Sequence, residues 1–228
     1  MRRGVCFDLD GTLLVPHGDW PGWVSATATA LGVGADARVR FRSALERATS
    51  IDAAVTLESA CRDALAACGL REPTALADLA REACLDYGRG VRAHPAAAAL
   101  LERLATAAAP IVVVTNGPVD MQTEALRASG LATYVRATIV SGAPDVAVRK
   151  PHPRVFWLAL TAVRARPEDV LMIGDDLEAD VRGAQRFGLA TCWISGDRVD
   201  QPSDVPVGTM VVSDLAEAAA PLEAFLAG

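Results

Sequence analysis

The spacing of apolar residues changes twice along the chain. The apolar run Gly4 to Phe7 makes Gly4 to Asp8 read as a short buried strand, followed by the turn formers Pro16-His17-Gly18-Asp19-Trp20-Pro21-Gly22. Apolar residues then recur at helical spacing and predict helices over 23–31, 36–49, 55–68 and 74–87, interrupted by Gly32-Val33-Gly34 and Gly69-Leu70-Arg71-Glu72-Pro73. From about Gly88 the rhythm alternates. Helices are expected at 95–108, 120–129, 153–164 and 178–187, strands at 111–114, 137–141, 169–173, 190–194 and 209–212, and a helix closes the chain.

Apolar strands alternating with helices imply a parallel sheet covered on both faces. The expected fold is α/β: a doubly wound, Rossmann-like core with a small α-helical cap inserted after the first strand. The core is assigned to 1–13 and 91–228 and the cap to 14–90, with hinge motion expected in the linkers 14–19 and 88–95. A rigid helical lobe is the alternative. Ligands of open α/β sheets bind beside the carboxyl ends of the strands, where such an insert would lie, and this favours the mobile cap.

Composition narrows the classes. The chain has 228 residues, 51% of them hydrophobic and 22% charged, enough for a sizeable core. A net charge of −6 with dispersed arginines argues against a nucleic-acid partner. An anionic substrate would then need local positive charge from a metal, a lysine or backbone N–H groups. The cysteines, Cys6, Cys61, Cys68, Cys84 and Cys192, form no Cys-x-x-Cys pair, which fits reduced thiols and makes a zinc site improbable. His17, His94 and His152 are scattered and read as loop or surface residues. Asp8 and Asp10 interrupt any apolar leader, and no stretch approaches the ~20 apolar residues of a membrane span. The expectation is a cytoplasmic protein, monomer or homodimer, with no membrane partner.

The first strand ends in Asp8-Leu9-Asp10-Gly11-Thr12. Residues two apart on an extended chain share a side, and Gly11 permits a sharp turn, so both carboxylates should face one space. Two carboxylates ~4 Å apart repel by about 4 kcal/mol at an effective dielectric near 20, so the pair calls for a cation, a shared proton or both. Asp-Gly is also an ordinary turn whose acids are often merely solvated. The other strand ends weigh against that reading, because they carry Thr115-Asn116-Gly117 and Gly174-Asp175-Asp176, and Arg149-Lys150-Pro151 lies between them. In this fold class such ends converge, and Lys150 can serve as a fixed countercharge.

Taken together, Asp8-x-Asp10-Gly11-Thr12, Thr115-Asn116-Gly117, Lys150-Pro151 and Gly174-Asp175-Asp176-x-x-x-Asp180 resemble, in order and over nearly the whole length, the motifs of the haloacid dehalogenase superfamily, which is mostly phosphohydrolases. One departure is His152, where many relatives carry an acid. The resemblance implies that Asp8 is the nucleophile and Asp10 the general acid/base, with Lys150 cancelling the repulsion between two anions. It also implies Mg²⁺ held by the Asp8 carboxylate, the backbone carbonyl of Asp10 and Asp175. Asp176 or Asp180 would assist directly or through water, or Asp180 would orient Lys150. Thr115, Asn116, Gly117 and Lys150 form the expected phosphate-binding set, with Thr115 also counted as catalytic.

The reaction implied is Mg²⁺-dependent hydrolysis of a small phosphorylated metabolite through an aspartyl phosphate. A sugar-phosphate mutase, a 2-haloacid dehalogenase and a catalytically silent binding protein are the alternatives. Asp10 argues against the dehalogenase, because that branch of the family lacks a general acid at this position. Trp20, Trp23, Arg42 and Arg47 could face a leaving group, but such tryptophans more often pack and such arginines more often line a solvated helix face.

Overall fold

The computed structural model describes residues 3–15, 18–196 and 205–227. His17 and Pro16 of the first turn-rich loop lie outside them. Among the described residues the centre is a parallel sheet of six strands: β1 (Gly4–Phe7), β2 (Ile111–Thr115), β3 (Ala137–Val140), β4 (Val170–Gly174), β5 (Ala190–Ile194) and β6 (Met210–Val212). Their order is β3-β2-β1-β4-β5-β6, with every neighbouring pair parallel. The chain therefore builds outward from β1 in one direction, returns, and builds outward in the other, so the strand order reverses at β1 and β4. Ligands of doubly wound sheets gather at such a reversal, beyond the carboxyl ends of the strands.

The central strands are buried on both faces, which is why they read as unbroken apolar runs rather than alternating ones. Successive side chains point to opposite sides. Val5, Phe7, Ile111, Val113, Leu171 and Ile173 join the apolar cluster on one face; Cys6, Val112, Val114, Val170 and Met172 join the cluster on the other.

Among the described residues five α-helices lie between β1 and β2, α1 (Trp20–Ala30), α2 (Arg38–Ala48), α3 (Leu57–Ala67), α4 (Leu76–Gly90) and α5 (Ala97–Thr106). Then follow α6 (Val119–Ala128), α7 (Pro153–Val163), the short α8 (Gly183–Arg186) and α9 (Ala219–Ala227). Helix α1 begins earlier than its apolar spacing predicts because Asp19 accepts from the Gly22 amide and Pro21 sits in the first turn, both helix-starting features. Helix α2 is shorter than predicted, since 35–37 form a separate tight 3₁₀ turn. At α3 Thr56 and Ser59 form a reciprocal cap.

The largest departure follows β4. The predicted helix at 178–187 is instead a π-helical turn, Leu177–Arg182, leading into α8. The Asp176 carbonyl accepts from the Asp180 amide at 2.9 Å and from the Val181 amide at 3.3 Å, while its carboxylate caps Glu178 and Ala179. Such wide turns re-aim a side chain, here that of Asp180.

The segments leading into and out of α1–α4 run side by side. The Val15 amide donates to Arg92, the His94 amide donates to Leu13, and Leu14 pairs antiparallel with Ala93. Buried residues of α1–α4, among them Trp23, Phe41, Leu57 and Tyr87, belong to the same apolar cluster as one face of the sheet.

Candidate active site

Asp8 follows β1 directly, and its amide donates to the Ile173 carbonyl of β4, which seats it at the strand-order reversal. Asp8 is 7% exposed, and its carboxylate makes an ion pair with the Lys150 ammonium. Lys150, 6% exposed, also lies 2.7 Å from Asp180 Oδ1 and donates at 2.7 Å to the Val114 carbonyl. The ammonium thus hydrogen-bonds the Asp8 carboxylate and the Val114 carbonyl and is ion-paired with Asp180, whose Oδ1 is buried without a hydrogen bond among the described residues. Burial works against that charge, but Asp180 and Asp8 outweigh it and hold the lysine well above its ordinary range.

The loop carrying Lys150 is fixed by Asn116. Its side-chain amide donates to the Lys150 carbonyl at 3.2 Å, and its side-chain oxygen accepts from the Lys150 amide at 2.8 Å. The next peptide bond, Lys150–Pro151, is cis. His152 then caps α7, accepting from the Arg154 amide through Nδ1, so the departure at that position supplies a helix start.

Asp175 closes the site from β4. Oxygens of Asp8, Asp175 and Asp180 all lie within 4.8 Å of one another. Burial pushes the Asp175 carboxyl up to about 6, with the charge of Asp8 adding to this and Lys150 opposing it. Burial also raises the Asp180 carboxyl, against the pull of Lys150. Three carboxylates around a single ammonium leave an excess of two negative charges when ionised. Hard carboxylate oxygens with that charge fit a divalent cation of the Mg²⁺ or Ca²⁺ kind. Gly11 makes room for Asp175, because a Cβ there would lie 2.6 Å from Asp175 Oδ2.

Asp10 stands outside this cluster of side chains. Gln122 Nε2 donates to its Oδ2 at 2.9 Å, and the Tyr87 hydroxyl approaches Oδ1 at 3.4 Å. Burial raises its carboxyl; the Gln122 bond opposes this and the Asp8 charge adds to it. The two acids of the first motif thus have different surroundings: Asp8 faces the Lys150 ammonium, and Asp10 faces amide and hydroxyl donors.

Members of the expected phosphate-binding set have the following partners. The Thr115 hydroxyl donates to Gln122 Oε1 at 2.7 Å and the Gly117 amide to Ser141 Oγ at 2.9 Å, while the Asn116 side chain is committed to Lys150. Asp176 serves as a helix cap, and Asp180 sits against Lys150 inside the acidic cluster. Trp23 is buried, stacks on Trp20 with ring centroids 5.0 Å apart, and donates through Nε1 to the Ala83 carbonyl. Arg42 pairs with Glu46 on an exposed helix face. The sequence reading missed Gln122 and Tyr87. Gln122 left a signal, being a polar residue that shares the buried stripe of α6 with Ala125 and Leu126.

Among the described residues no helix is long and apolar enough to cross a membrane. A family pattern described as haloacid dehalogenase-like hydrolase matches residues 3–188. A phosphoserine phosphatase of Thermus thermophilus is 36% identical over 129 residues, 55% of this chain and 51% of the relative. The chain thus matches about half the length of that relative, and likewise of the next ones. A phosphoglycolate phosphatase of Yersinia pseudotuberculosis is 30% identical over 191 residues, 82% of this chain and 78% of the relative. In fold, the chain superimposes on a phosphatase from Thermococcus onnurineus with TM-score 0.74, at 24% identity over 97% of this chain and 98% of that one. It superimposes on a 2-haloacid dehalogenase from Pseudomonas syringae with TM-score 0.70, at 24% identity over 99% and 100%. By the matched pattern and the longer relative, this chain belongs to the haloacid dehalogenase-like hydrolases.

Proposed function

We propose that the chain is a Mg²⁺-dependent phosphatase that hydrolyses a small phosphorylated metabolite through an aspartyl phosphate on Asp8. The observation that carries this reading is the division of labour between two acids: Asp8 is buried against the Lys150 ammonium, and Asp10 is held by separate donors two residues on. A carboxylate attacks phosphorus only where the repulsion between two anions is cancelled, and the Lys150 ammonium is placed to do that. Bound among Asp8, Asp175 and Asp180, Mg²⁺ would supply further countercharge for the phosphoryl oxygens.

In the first half-reaction an Asp8 oxygen bonds to phosphorus, the ester P–O bond breaks, and Asp10 gives its proton to the departing oxygen, releasing an alcohol. In the second, Asp10 takes a proton from a water whose oxygen bonds to phosphorus; the Asp8–phosphorus link breaks and inorganic phosphate leaves. A carboxyl raised by burial, as that of Asp10 is, suits both halves. Asp10 also favours this reading over a dehalogenase, whose branch of the family lacks an acid there. We read 14–90 as a cap over a core of 1–13 and 91–228, with the substrate between them.

The names of the relatives suggest where to begin. Phosphoserine, phosphoglycolate and pyrimidine nucleoside monophosphates form the first panel, with sugar phosphates to detect a mutase. Phosphate release should require Mg²⁺ and should fall by at least about a thousandfold in Asp8→Asn, since loss of a nucleophile removes the covalent route. Undiminished release in Asp8→Asn would refute the assignment. Sugar-phosphate isomerisation without free phosphate would replace it with a mutase.

A further inference from the structure

We infer that Gln122 is a positioning residue for Asp10, and that it fixes which oxygen of that carboxyl exchanges a proton with the leaving group. Gln122 is 4% exposed and Thr115 is 2% exposed, so neither can rely on water for its hydrogen bonds. The Gln122 amide bridges two of the motifs: Oε1 accepts from the Thr115 hydroxyl at 2.7 Å and Nε2 donates to Asp10 Oδ2 at 2.9 Å. Thr115, at the end of β2, thereby orients the amide, and the amide in turn orients the acid.

Asp10 is held unevenly. The bond to Oδ2 has ordinary length, whereas the Tyr87 hydroxyl stands 3.4 Å from Oδ1, long for an O–H donor. Oδ2 is the more firmly anchored oxygen, and Oδ1, in the longer contact with Tyr87, hands its proton to the departing alkoxide. A half-turn of the protonated carboxyl would set its O–H against the Gln122 N–H donor and cost that bond. The Thr115 hydroxyl acts through Gln122 as part of the same support. Gly117, whose Cβ position would lie 2.9 Å from Gln122 Nε2, leaves the space this amide occupies.

The inference rests on Asp8 phosphoryl transfer, and leaving-group chemistry separates the two. An alkyl ester needs a proton on its leaving oxygen as the P–O bond breaks; p-nitrophenolate departs without one. The experiment compares kcat/KM, which reports formation of the aspartyl phosphate, for p-nitrophenyl phosphate and for the alkyl monoester that the wild-type protein hydrolyses fastest. Gln122→Met removes both hydrogen bonds at nearly constant volume. Gln122→Leu also removes both hydrogen bonds without adding a charge, and it carries the test if the methionine variant does not fold.

General acid catalysis contributes about 10²–10⁴-fold. We expect the alkyl ester to lose about ten- to a hundredfold in kcat/KM while the aryl ester changes less than about threefold. An equal loss on both substrates, or no loss on either, would overturn the positioning role. Wild-type protein inactive on both esters would overturn the phosphatase reading and this inference with it.

Discussion

Gly11 sits at φ +83°, a conformation that side chains with a Cβ rarely adopt, and its missing Cβ leaves space that the Asp175 carboxylate fills. Conformation and space therefore demand glycine for separate reasons, and the second bears on the proposed Mg²⁺ site. With Mg²⁺ at about a hundred times its Kd, binding to the folded state alone stabilises by about 2.7 kcal/mol, which for a chain of this size raises Tm by about 5–10 °C. Gly11→Ala should shift the Mg²⁺ midpoint of that thermal titration upward by about tenfold or more, the scale seen when groups supporting a ligand are disturbed. A variant that lowered Tm without moving the midpoint would show that only backbone strain was at stake. Asp8, Lys150, Asp175 and Asp180 were legible in the sequence because charged residues at the ends of apolar strands have few tolerable fates apart from pairing or cation binding. Gln122 and Tyr87 were not, since they lie 112 and 77 residues from Asp10 and only the fold makes them its neighbours.

Strands β1, β2, β4 and β5 were readable for a related reason: each is a short apolar run ending at a polar residue, too brief for a helix and buried on both faces. The turn after β4 was not. Leu177, Val181 and Ala184 carry helical spacing, and nothing in it separates hydrogen bonds four residues apart from bonds five apart. What decides is tertiary: Asp180, fully buried, must reach Lys150, and its Oδ2 accepts from the Asp176 amide at 3.1 Å, closing the turn on itself. Asp176 starts this element by accepting from the Glu178 and Ala179 amides. Asp176→Ala should therefore cost about 1 kcal/mol in urea unfolding, as loss of a helix cap does, and Asp176→Asn should recover most of it. Equal stability of all three proteins would mean that the cap contributes nothing to the turn. Thr115 shows a different limit, because its place at a strand end was correctly anticipated while the direction of its hydroxyl depends on Gln122, in a helix that follows.

Across the molecule, the segment before α3 ties the inserted helices to the carboxyl edge of the sheet. The Val55 amide donates to the Gly142 carbonyl and its carbonyl accepts from the Val119 amide, both at 2.9 Å. Asp120 accepts from the Leu57 amide through both carboxylate oxygens, at 2.9 and 3.0 Å. The Arg149 amide, beside Lys150, donates to Asp52 at 2.8 Å. If the insert opens about the paired linkers, these bonds must break together, whereas Val5 and Cys6 inside the sheet stay closed. A hydrogen bond to a charged acceptor contributes about 1.5–3 kcal/mol, and each 1.4 kcal/mol is tenfold in an equilibrium. Asp120→Ala should then speed hydrogen exchange at Val55, Leu57 and Val119 by about ten- to a hundredfold, with the amides of β1 and β4 unchanged. Acceleration confined to Leu57 would show that this residue frays alone. A common acceleration of the three, with the strand amides still, is what a cap moving as one body requires, because Val119 follows β2 while Val55 and Leu57 precede and begin α3, so that only parting of the two faces exposes all three.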